Sequence, residues 1–306
     1  MSKKEEARKA LRFDLVEGEV RGEVSVPGGV ISYALSKPES GSAKGTVVLL
    51  HGVGSNASRW EEFTELTPLR SVWQVLRMDL RGHGASDTRC RATLERHADD
   101  LAAVLTDAGI DKALLVGHSL GAQIAMTAAV RHPDRVSGLI LLDPLISEAL
   151  TPKAEAQKRK KGILVVAEAA ARAVNCLGYR RPMPHYSLRA HDRKAREMLA
   201  AGGDSLEAFI KEYSSPFKDL GHIHTADYAR DLLEVGRRTP DMRSVGVPIL
   251  VIGSSAGAYT DPQKMERWTK SLRDGRMEVV QCVHWPLTEC PLDVSRLIEN
   301  WIGERF

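Results

Sequence analysis

The sequence feature that most constrains the fold is a serine between two glycines, in Gly117-His118-Ser119-Leu120-Gly121. This segment follows a short apolar run, residues 113–116, and precedes an alanine-rich stretch, residues 120–131. The pattern G-x-S-x-G at such a junction is typical of a tight turn from a strand into a helix, in which small residues must flank the serine. Such a turn exposes the serine hydroxyl above the sheet edge, and the amide at the helix start favours developing negative charge. The sequence therefore predicts a nucleophile at Ser119 and an oxyanion donor at the amide of Leu120.

Other apolar runs have the continuity of strands that are buried on both faces, which is typical of a parallel sheet. They are residues 47–50, 73–80, 139–142, 247–252 and 277–280, and residues 16–26 and 30–35 form a strand pair before them. Stretches with helical spacing, such as residues 94–107 and 294–302, alternate with the runs and indicate an α/β fold. Active sites in such sheets lie at the carboxyl ends of the strands. We therefore expect the functional residues directly after the apolar runs.

Residues 147–243 interrupt this alternation with several helix-like stretches. These cover residues 152–176, 188–201, 205–213 and 225–235. The sequence therefore predicts an α/β core formed by residues 1–146 and 244–306, with residues 147–243 as a helical insertion between two core strands.

A serine hydroxyl is a poor nucleophile at neutral pH and needs a base within hydrogen-bond reach. His284 lies in a short loop after the last strand run, so the order along the chain is nucleophile first and base last. His51-Gly52-Val53-Gly54 follows an earlier buried run, and its glycines allow a loop that turns backbone amides toward the nucleophile. We therefore predict His284 as the base and the amide of Val53 as the second oxyanion donor.

Taken together, these segments resemble the α/β-hydrolases, in the large group that carries a helical lid. The resemblance rests on four matching segments, which are His51-Gly52, Asp79-Leu80-Arg81-Gly82-His83-Gly84-Ala85-Ser86-Asp87, Gly117–Gly121 and His284-Trp285-Pro286-Leu287-Thr288-Glu289. It implies an eight-stranded, mostly parallel sheet flanked by helices, a Ser–His–acid triad, no cofactor, and a lid at residues 147–243. These motifs are specific for the fold but only weakly specific for the substrate.

The sequence departs from the family pattern at the triad acid. Most relatives place the aspartate in a Gly-x-x-Asp context after the strand that corresponds to residues 247–252, but here Gly253 is followed by Ala256 at that position. An alanine cannot orient an imidazole. Asp143, which ends the preceding core strand, is the favoured replacement, because some members of the family carry their acid there. Asp261 is the alternative, although an aspartate before a proline is typical of a helix start, and a site without a carboxylate is the third reading.

The predicted reaction is hydrolysis of a carboxylic ester or lactone through an acyl-enzyme on Ser119. We expect a small, apolar, ester-type substrate in a pocket lined by Trp60, Leu145, Trp285 and Leu287. The same constellation serves C–C bond hydrolases and other Ser–His–acid chemistry. Because Ala256 cannot supply the triad acid, a catalytically weak small-molecule receptor is a further alternative.

Composition excludes several other classes. The 306 residues include 43 Lys+Arg and 40 Asp+Glu, and this near-balance gives no reason to expect a nucleic-acid partner. The charged N-terminus does not have the pattern of a secretory signal, and no stretch approaches the roughly 18 apolar residues of a membrane span. None of the four cysteines forms a CxxC pair, so we expect no metal site and free thiols in a reducing compartment. The sequence thus predicts a cytoplasmic enzyme.

Overall fold

The computed structural model describes residues 14–39, 41–158, 161–181, 183–201, 205–213 and 215–306. Eight strands form one sheet, and each overlaps an apolar run of the sequence. They are β1 (Glu19–Val26), β2 (Gly29–Ser36), β3 (Thr46–Leu50), β4 (Gln74–Met78), β5 (Ala113–His118), β6 (Val136–Leu142), β7 (Ile249–Ser254) and β8 (Gly275–Val280). The predicted α/β fold with an eight-stranded, mostly parallel sheet is confirmed.

The order of the strands brings the carboxyl ends of the six mutually parallel strands, β3 to β8, to one edge. The sheet runs β1-β2-β4-β3-β5-β6-β7-β8. β1 pairs antiparallel with β2, and β2 pairs antiparallel with β4. The remaining pairs are parallel. The carboxyl ends of β3, β4, β5, β6, β7 and β8 therefore lie at the same edge, where the residues of interest follow them.

Helices flank the sheet and also fill the interval between β6 and β7. In chain order they are α1 (Glu61–Leu66), α2 (Leu94–Asp107), α3 (Leu120–Arg131), α4 (Pro152–Lys158), α5 (Lys161–Cys176), α6 (Leu188–Ala200), α7 (Ser205–Tyr213), α8 (Pro216–Asp219), α9 (Thr225–Val235), α10 (Pro262–Lys270), α11 (Pro286–Glu289) and α12 (Pro291–Arg305). Short 3₁₀ turns cover Ala57–Trp60, Pro68–Ser71, Pro133–Arg135 and Ser147–Ala149.

The helices between β6 and β7, α4 to α9, correspond to the helical insertion expected from the sequence. Within it, α5 packs against α9, and α6 packs against α7 and the core helix α11. The division into an α/β core and a lid stays a prediction. Within the described residues, no helix combines the length and apolar character needed to cross a membrane. The cytoplasmic location also stays a prediction.

The core is formed on both faces of the sheet. In β3, Val48 and Leu50 contribute to one apolar cluster, whereas Val47 and Leu49 contribute to the other. All four side chains are fully buried. A strand covered on both faces must be apolar at every position, which is why these strands appear as continuous apolar runs in the sequence.

Two glycines let α3 begin directly against the edge of the sheet. A Cβ on Gly121 would lie 2.3 Å from the carbonyl oxygen of Leu50, at the end of β3. A Cβ on Gly117 would lie 2.3 Å from the carbonyl oxygen of Gly121. Backbone atoms cannot move aside as a flexible side chain can, so only glycine fits both positions. This contact explains why the turn requires small residues on either side of Ser119.

We expect the substitution Gly121→Ala to destabilise the fold, because the added methyl group overlaps the backbone of β3. The free energy of unfolding should fall by about 1–3 kcal/mol or more, as measured by urea denaturation. Gly303→Ala is the matched control, since a Cβ at Gly303 in α12 would meet nothing within 4 Å. There, alanine should stabilise the helix by up to about 1 kcal/mol. Equal effects of the two substitutions would contradict the steric argument.

Candidate active site

Ser119 occupies the turn between β5 and α3 with a strained backbone. Its φ is 51°, a region that residues with a side chain rarely adopt. The Ser119 amide donates to the carbonyl of Leu142 at 3.0 Å, and the Ser119 carbonyl accepts from the amide of Ala122 at 3.0 Å. The neighbouring strand and the first turn of α3 therefore hold this conformation, and Ser119 lines a cavity above the sheet edge.

His284 lies in the loop between β8 and α11, and Glu289 holds this loop in shape. The Glu289 carboxylate accepts hydrogen bonds from the amides of Val283 at 2.8 Å, His284 at 3.2 Å and Trp285 at 2.9 Å. From the opposite side, His118 Nε2 donates to the carbonyl of His284 at 3.0 Å. Burial lowers the pKa of His118 to about 3, so this imidazole is neutral at pH 7. The backbone on which the His284 ring is mounted is therefore fixed on both sides.

Asp143, at the end of β6, contacts the His284 ring. Its Oδ2 accepts a hydrogen bond from His284 Nδ1, and both side chains are buried. Its Oδ1 lies 3.4 Å from the amide of Ser254 on β7. The Asp143 backbone adopts φ of 41°, which aspartate tolerates better than most residues, and its amide donates to Ile252 at 2.8 Å. The neighbouring strand β7 thus holds this carboxylate toward the imidazole.

The alternative acid, Asp261, has a different task. Its Oδ1 accepts from the amide of Lys264 at 2.9 Å and caps the N-terminus of α10. Ala256, at the position where relatives carry their acid, donates its amide to the carbonyl of Cys282 at 3.2 Å. The structure therefore brings Asp143 to His284 and places Asp261 at a helix start, as the Asp-Pro pattern indicates.

The loop after β3 lies directly against the serine turn. A Cβ on Gly52 would be 3.4 Å from Ser119 Cβ, and Val53 lines the same cavity as Ser119. His51 anchors the loop, because its Nε2 accepts the amide of Leu80 at 3.0 Å while Nδ1 faces the carbonyl of Gly52 at 2.9 Å. Within the described part of the chain, the amides of Val53 and Leu120 have no hydrogen-bond acceptor. Both amides are therefore available to a ligand.

Ser119 and His284 share a cavity of about 560 Å³. Three of the four predicted pocket residues, Leu145, Trp285 and Leu287, line it. The fourth, Trp60, does not. Trp60 is fully buried in the apolar core below the sheet edge, with its ring edge-on to Phe63 at 5.9 Å between centroids. The expectation for Trp60 is thus corrected, because its side chain points into the core and not toward the ligand space.

The cavity has an apolar wall and an aromatic wall. Ile163 and Leu164 of α5 line the apolar wall together with Leu232 and Val235 of α9. These two helices pack on each other.

The aromatic wall contains stacked ring pairs, Tyr186 on His222 at 4.2 Å and His191 on Tyr213 at 4.7 Å between centroids. Trp285 and Tyr259 flank the His284 ring, at 5.6 Å and 4.5 Å between centroids.

Several polar residues of the cavity carry no sequence motif and were missed by sequence reasoning. Arg59, Lys218 and Asp219 are charged residues that line it. Asp219 lies beside Gly54, since a Cβ there would be 2.7 Å from an Asp219 oxygen, and burial raises the Asp219 pKa to about 6. One sequence signal could have pointed to Arg59, which is its position next to Trp60, a predicted pocket residue. Among the described residues, no group of three His, Cys, Asp or Glu side chains is placed to hold a metal ion.

Comparisons with known proteins agree with this architecture. The family model described as "alpha/beta hydrolase fold" matches residues 45–289. A 2-hydroxy-6-oxononadienedioate/2-hydroxy-6-oxononatrienedioate hydrolase of Cupriavidus pinatubonensis is 25% identical over 92% of this chain and 94% of its own length. Lipase LipV of Mycobacterium tuberculosis is 34% identical over 35% of this chain and 40% of its own length. The structure of a thermophilic esterase from Thermogutta terrifontis superposes with a TM-score of 0.61 at 24% identity, covering 94% of this chain and 98% of the other.

The family match covers most of the chain, and the chain therefore belongs to the α/β-hydrolase family, a family of hydrolytic enzymes. The matches to the first curated relatives span only 28% to 40% of the length of those proteins. The structural match below 25% identity bears on the fold alone.

We expect Glu289→Ala to destabilise the His284 loop, because three backbone amides lose their shared acceptor. The free energy of unfolding should fall by about 1–3 kcal/mol, measured by urea denaturation. Glu266→Ala is the control, since Glu266 is exposed and its ion pair within the described residues is with Lys270 on the same helix, so little change should follow. If the two variants unfold alike, Glu289 does not hold the loop.

Proposed function

We propose that this chain is a serine hydrolase that cleaves a carboxylic ester or lactone through an acyl-enzyme intermediate. Ser119 Oγ attacks the substrate carbonyl carbon while His284 Nε2 takes the hydroxyl proton, and the amides of Val53 and Leu120 donate to the oxyanion. His284 then protonates the leaving oxygen as the ester bond breaks. A water molecule that gives its proton to His284 attacks the acyl group, releases the acid and restores Ser119.

The observation that carries the proposal is the hydrogen bond between Asp143 and His284 at the cavity that Ser119 lines. Because the carboxylate engages Nδ1, the proton acceptor on the ring is Nε2. Ala256 occupies the position where most relatives carry the triad aspartate. We assign this role to Asp143 instead. A carboxylate in this role fixes the tautomer and stabilises the imidazolium that forms during attack.

We also propose that residues 147–243 act as a lid on a core formed by residues 1–146 and 244–306. Side chains from both parts line the cavity. A lid that covers the reacting groups excludes water until the substrate is bound. The apolar wall supports a small ester-type substrate with an apolar portion.

Cleavage of a carbon–carbon bond is the second candidate, because the relative that aligns along nearly the whole chain is named as an oxononadienedioate hydrolase. The same nucleophile, base and oxyanion donors serve either reaction. Turnover of simple aryl esters supports the ester assignment, whereas turnover restricted to a 2-hydroxy-6-oxononadienedioate supports the alternative. A small-molecule receptor would turn over neither.

The decisive experiment is labelling with a fluorophosphonate probe alongside hydrolysis of 4-nitrophenyl butyrate. The parent protein should be labelled rapidly on Ser119, and Ser119→Ala should lose both labelling and hydrolysis. Ser55→Ala is the matched control, because Ser55 is a buried serine that lines the same cavity and has no hydrogen bond through Oγ within the described residues. If the folded parent protein is not labelled by the probe, the result favours the small-molecule receptor over the hydrolase.

We expect Asp143→Asn to lower kcat by about 10³- to 10⁴-fold, because the amide presents the wrong partner to the His284 ring. Asp261→Asn should change kcat little, since asparagine caps a helix as well as aspartate does. Steady-state hydrolysis of 4-nitrophenyl butyrate measures both, and circular dichroism checks the fold. Equal, mild losses in the two variants would refute the assignment of Asp143.

A further inference from the structure

Arg59 is a buried cation in the wall of the cavity that contains Ser119. It lies in the 3₁₀ turn Ala57–Trp60 and lines the cavity. Its side chain is only 8% exposed. A buried guanidinium requires acceptors for its five N–H groups, so the partners of Arg59 indicate whether a ligand group is missing.

Two protein side chains accept hydrogen bonds from one nitrogen of this guanidinium, Nη1. Arg59 Nη1 donates to Thr288 Oγ1 at 2.6 Å and to Asp192 Oδ1. The same oxygen of Asp192 also accepts from the hydroxyl of Tyr213 at 3.0 Å and from that of Thr288 at 2.9 Å. Asp192 Oδ1 therefore accepts from three donors and is the acidic partner of Arg59.

Nε and Nη2, on the other edge of the guanidinium, donate no hydrogen bond to the described residues, although the Tyr213 hydroxyl is a neighbour of Arg59. Within the described residues, every hydrogen bond that Arg59 donates leaves from Nη1. Nε and Nη2 are not among the enclosed side-chain atoms without a partner, so both retain accessible surface on a residue of the cavity wall. Nε and Nη2 together present the planar pair of donors that matches the two oxygens of a carboxylate.

We propose that this edge of Arg59 binds a carboxylate of the substrate, so that the preferred substrates are esters or lactones with a second, ionised carboxyl group. The proposal rests on the proposed function, because it names the substrate class of the same site. Monoesters of dicarboxylic acids have this chemistry.

The position of Arg59 relative to the reacting groups fits such a substrate. Thr288, its partner, donates its amide to the carbonyl of Trp285 at 2.8 Å, and Trp285 follows His284. Arg59 thus lies beside the aromatic side chains Tyr213 and Trp285, and the apolar side chains of α5 and α9 line the same cavity. The scissile carbonyl and the carboxylate of the substrate would occupy one cavity. The alkyl chain of the substrate between them would contact apolar side chains.

The ionisable neighbours leave Arg59 as the partner for an anion. Burial lowers the pKa of His118 to about 3 and that of His222 to about 4, and the nearby Arg59 charge contributes to both shifts. Both imidazoles are therefore neutral at pH 7. Among the described residues of the cavity wall, Lys218 is the other cation, and Asp219 is an anion that opposes a second carboxylate. The test must therefore separate Arg59 from Lys218.

The substrates that test the proposal are monomethyl adipate and its uncharged isostere, methyl 5-carbamoylpentanoate. For the parent protein, kcat/KM should be about 10- to 100-fold higher for the carboxylate, as expected for one charged hydrogen-bonded pair. In Arg59→Lys, which keeps a cation beside Asp192 but loses the planar edge, this ratio should approach 1. The folded Arg59→Gln protein should also show a ratio of kcat/KM close to 1.

Two control variants should preserve the ratio. Arg189→Gln removes another ion pair between the insertion and the core, that of Arg189 with Glu65, outside this cavity. Lys218→Gln removes the other cation of the cavity wall. A parent ratio near 1, or a ratio that falls with Lys218→Gln and not with Arg59→Lys, would overturn the proposal.

A binding measurement separates this proposal from the proposed function. Calorimetry should show adipate binding to the Ser119→Ala protein, and binding should weaken at least about 10-fold when Arg59→Lys is added. Adipate binding that depends on Arg59, without hydrolysis of either ester by the parent protein, refutes the hydrolase assignment and retains the carboxylate site. Hydrolysis of both esters with no dependence on Arg59 refutes the carboxylate site alone.

Discussion

The close approach of α3 to the end of β3 is the constraint on which the rest of the site depends. No side chain fits between Gly121 and the carbonyl of Leu50, so the helix starts immediately after the strand. This start pushes Ser119 into a strained conformation at the sheet edge and brings its Cβ next to the loop at Gly52. One backbone contact thus positions both Ser119, the proposed nucleophile, and the loop that contains Val53. The strain at Ser119 is local, and the surrounding sheet, buried on both faces, holds it in place.

The partner of His284 lies at the same edge of the sheet, at the end of β6, which is two strands away from β3. Asp143 continues β6, and its amide is paired with β7, so the direction of its carboxylate follows from the register of the sheet. Glu289 and His118 fix the backbone of the His284 loop from two sides. The imidazole and the carboxylate therefore meet through rigid elements, which is what orientation of a base requires.

The fold and the residues near Ser119 could be predicted from the sequence because their signals are local. Apolar runs mark strands covered on both faces, and the glycines around Ser119 mark a contact that admits no Cβ. Asp143 could be favoured over Asp261 because the Asp-Pro pattern at Asp261 is itself a local signal for a helix cap. The cavity walls could not be predicted. Arg59 meets Asp192 across 133 positions of the chain, and an apolar residue such as Trp60 has the same signature whether it faces core or ligand.

The location of the carboxylate on β6 has a consequence for how such a chain can evolve. Under the proposed mechanism, the loop after β7, residues 255–261, carries no reacting group, yet Tyr259 within it lines the cavity beside His284. Substitutions, insertions or deletions in this loop can therefore alter which ligands are accepted while the nucleophile, base and acid persist unchanged. The loop after β7 is thus the segment of the core where a library of variants would explore new selectivity at the least risk to turnover.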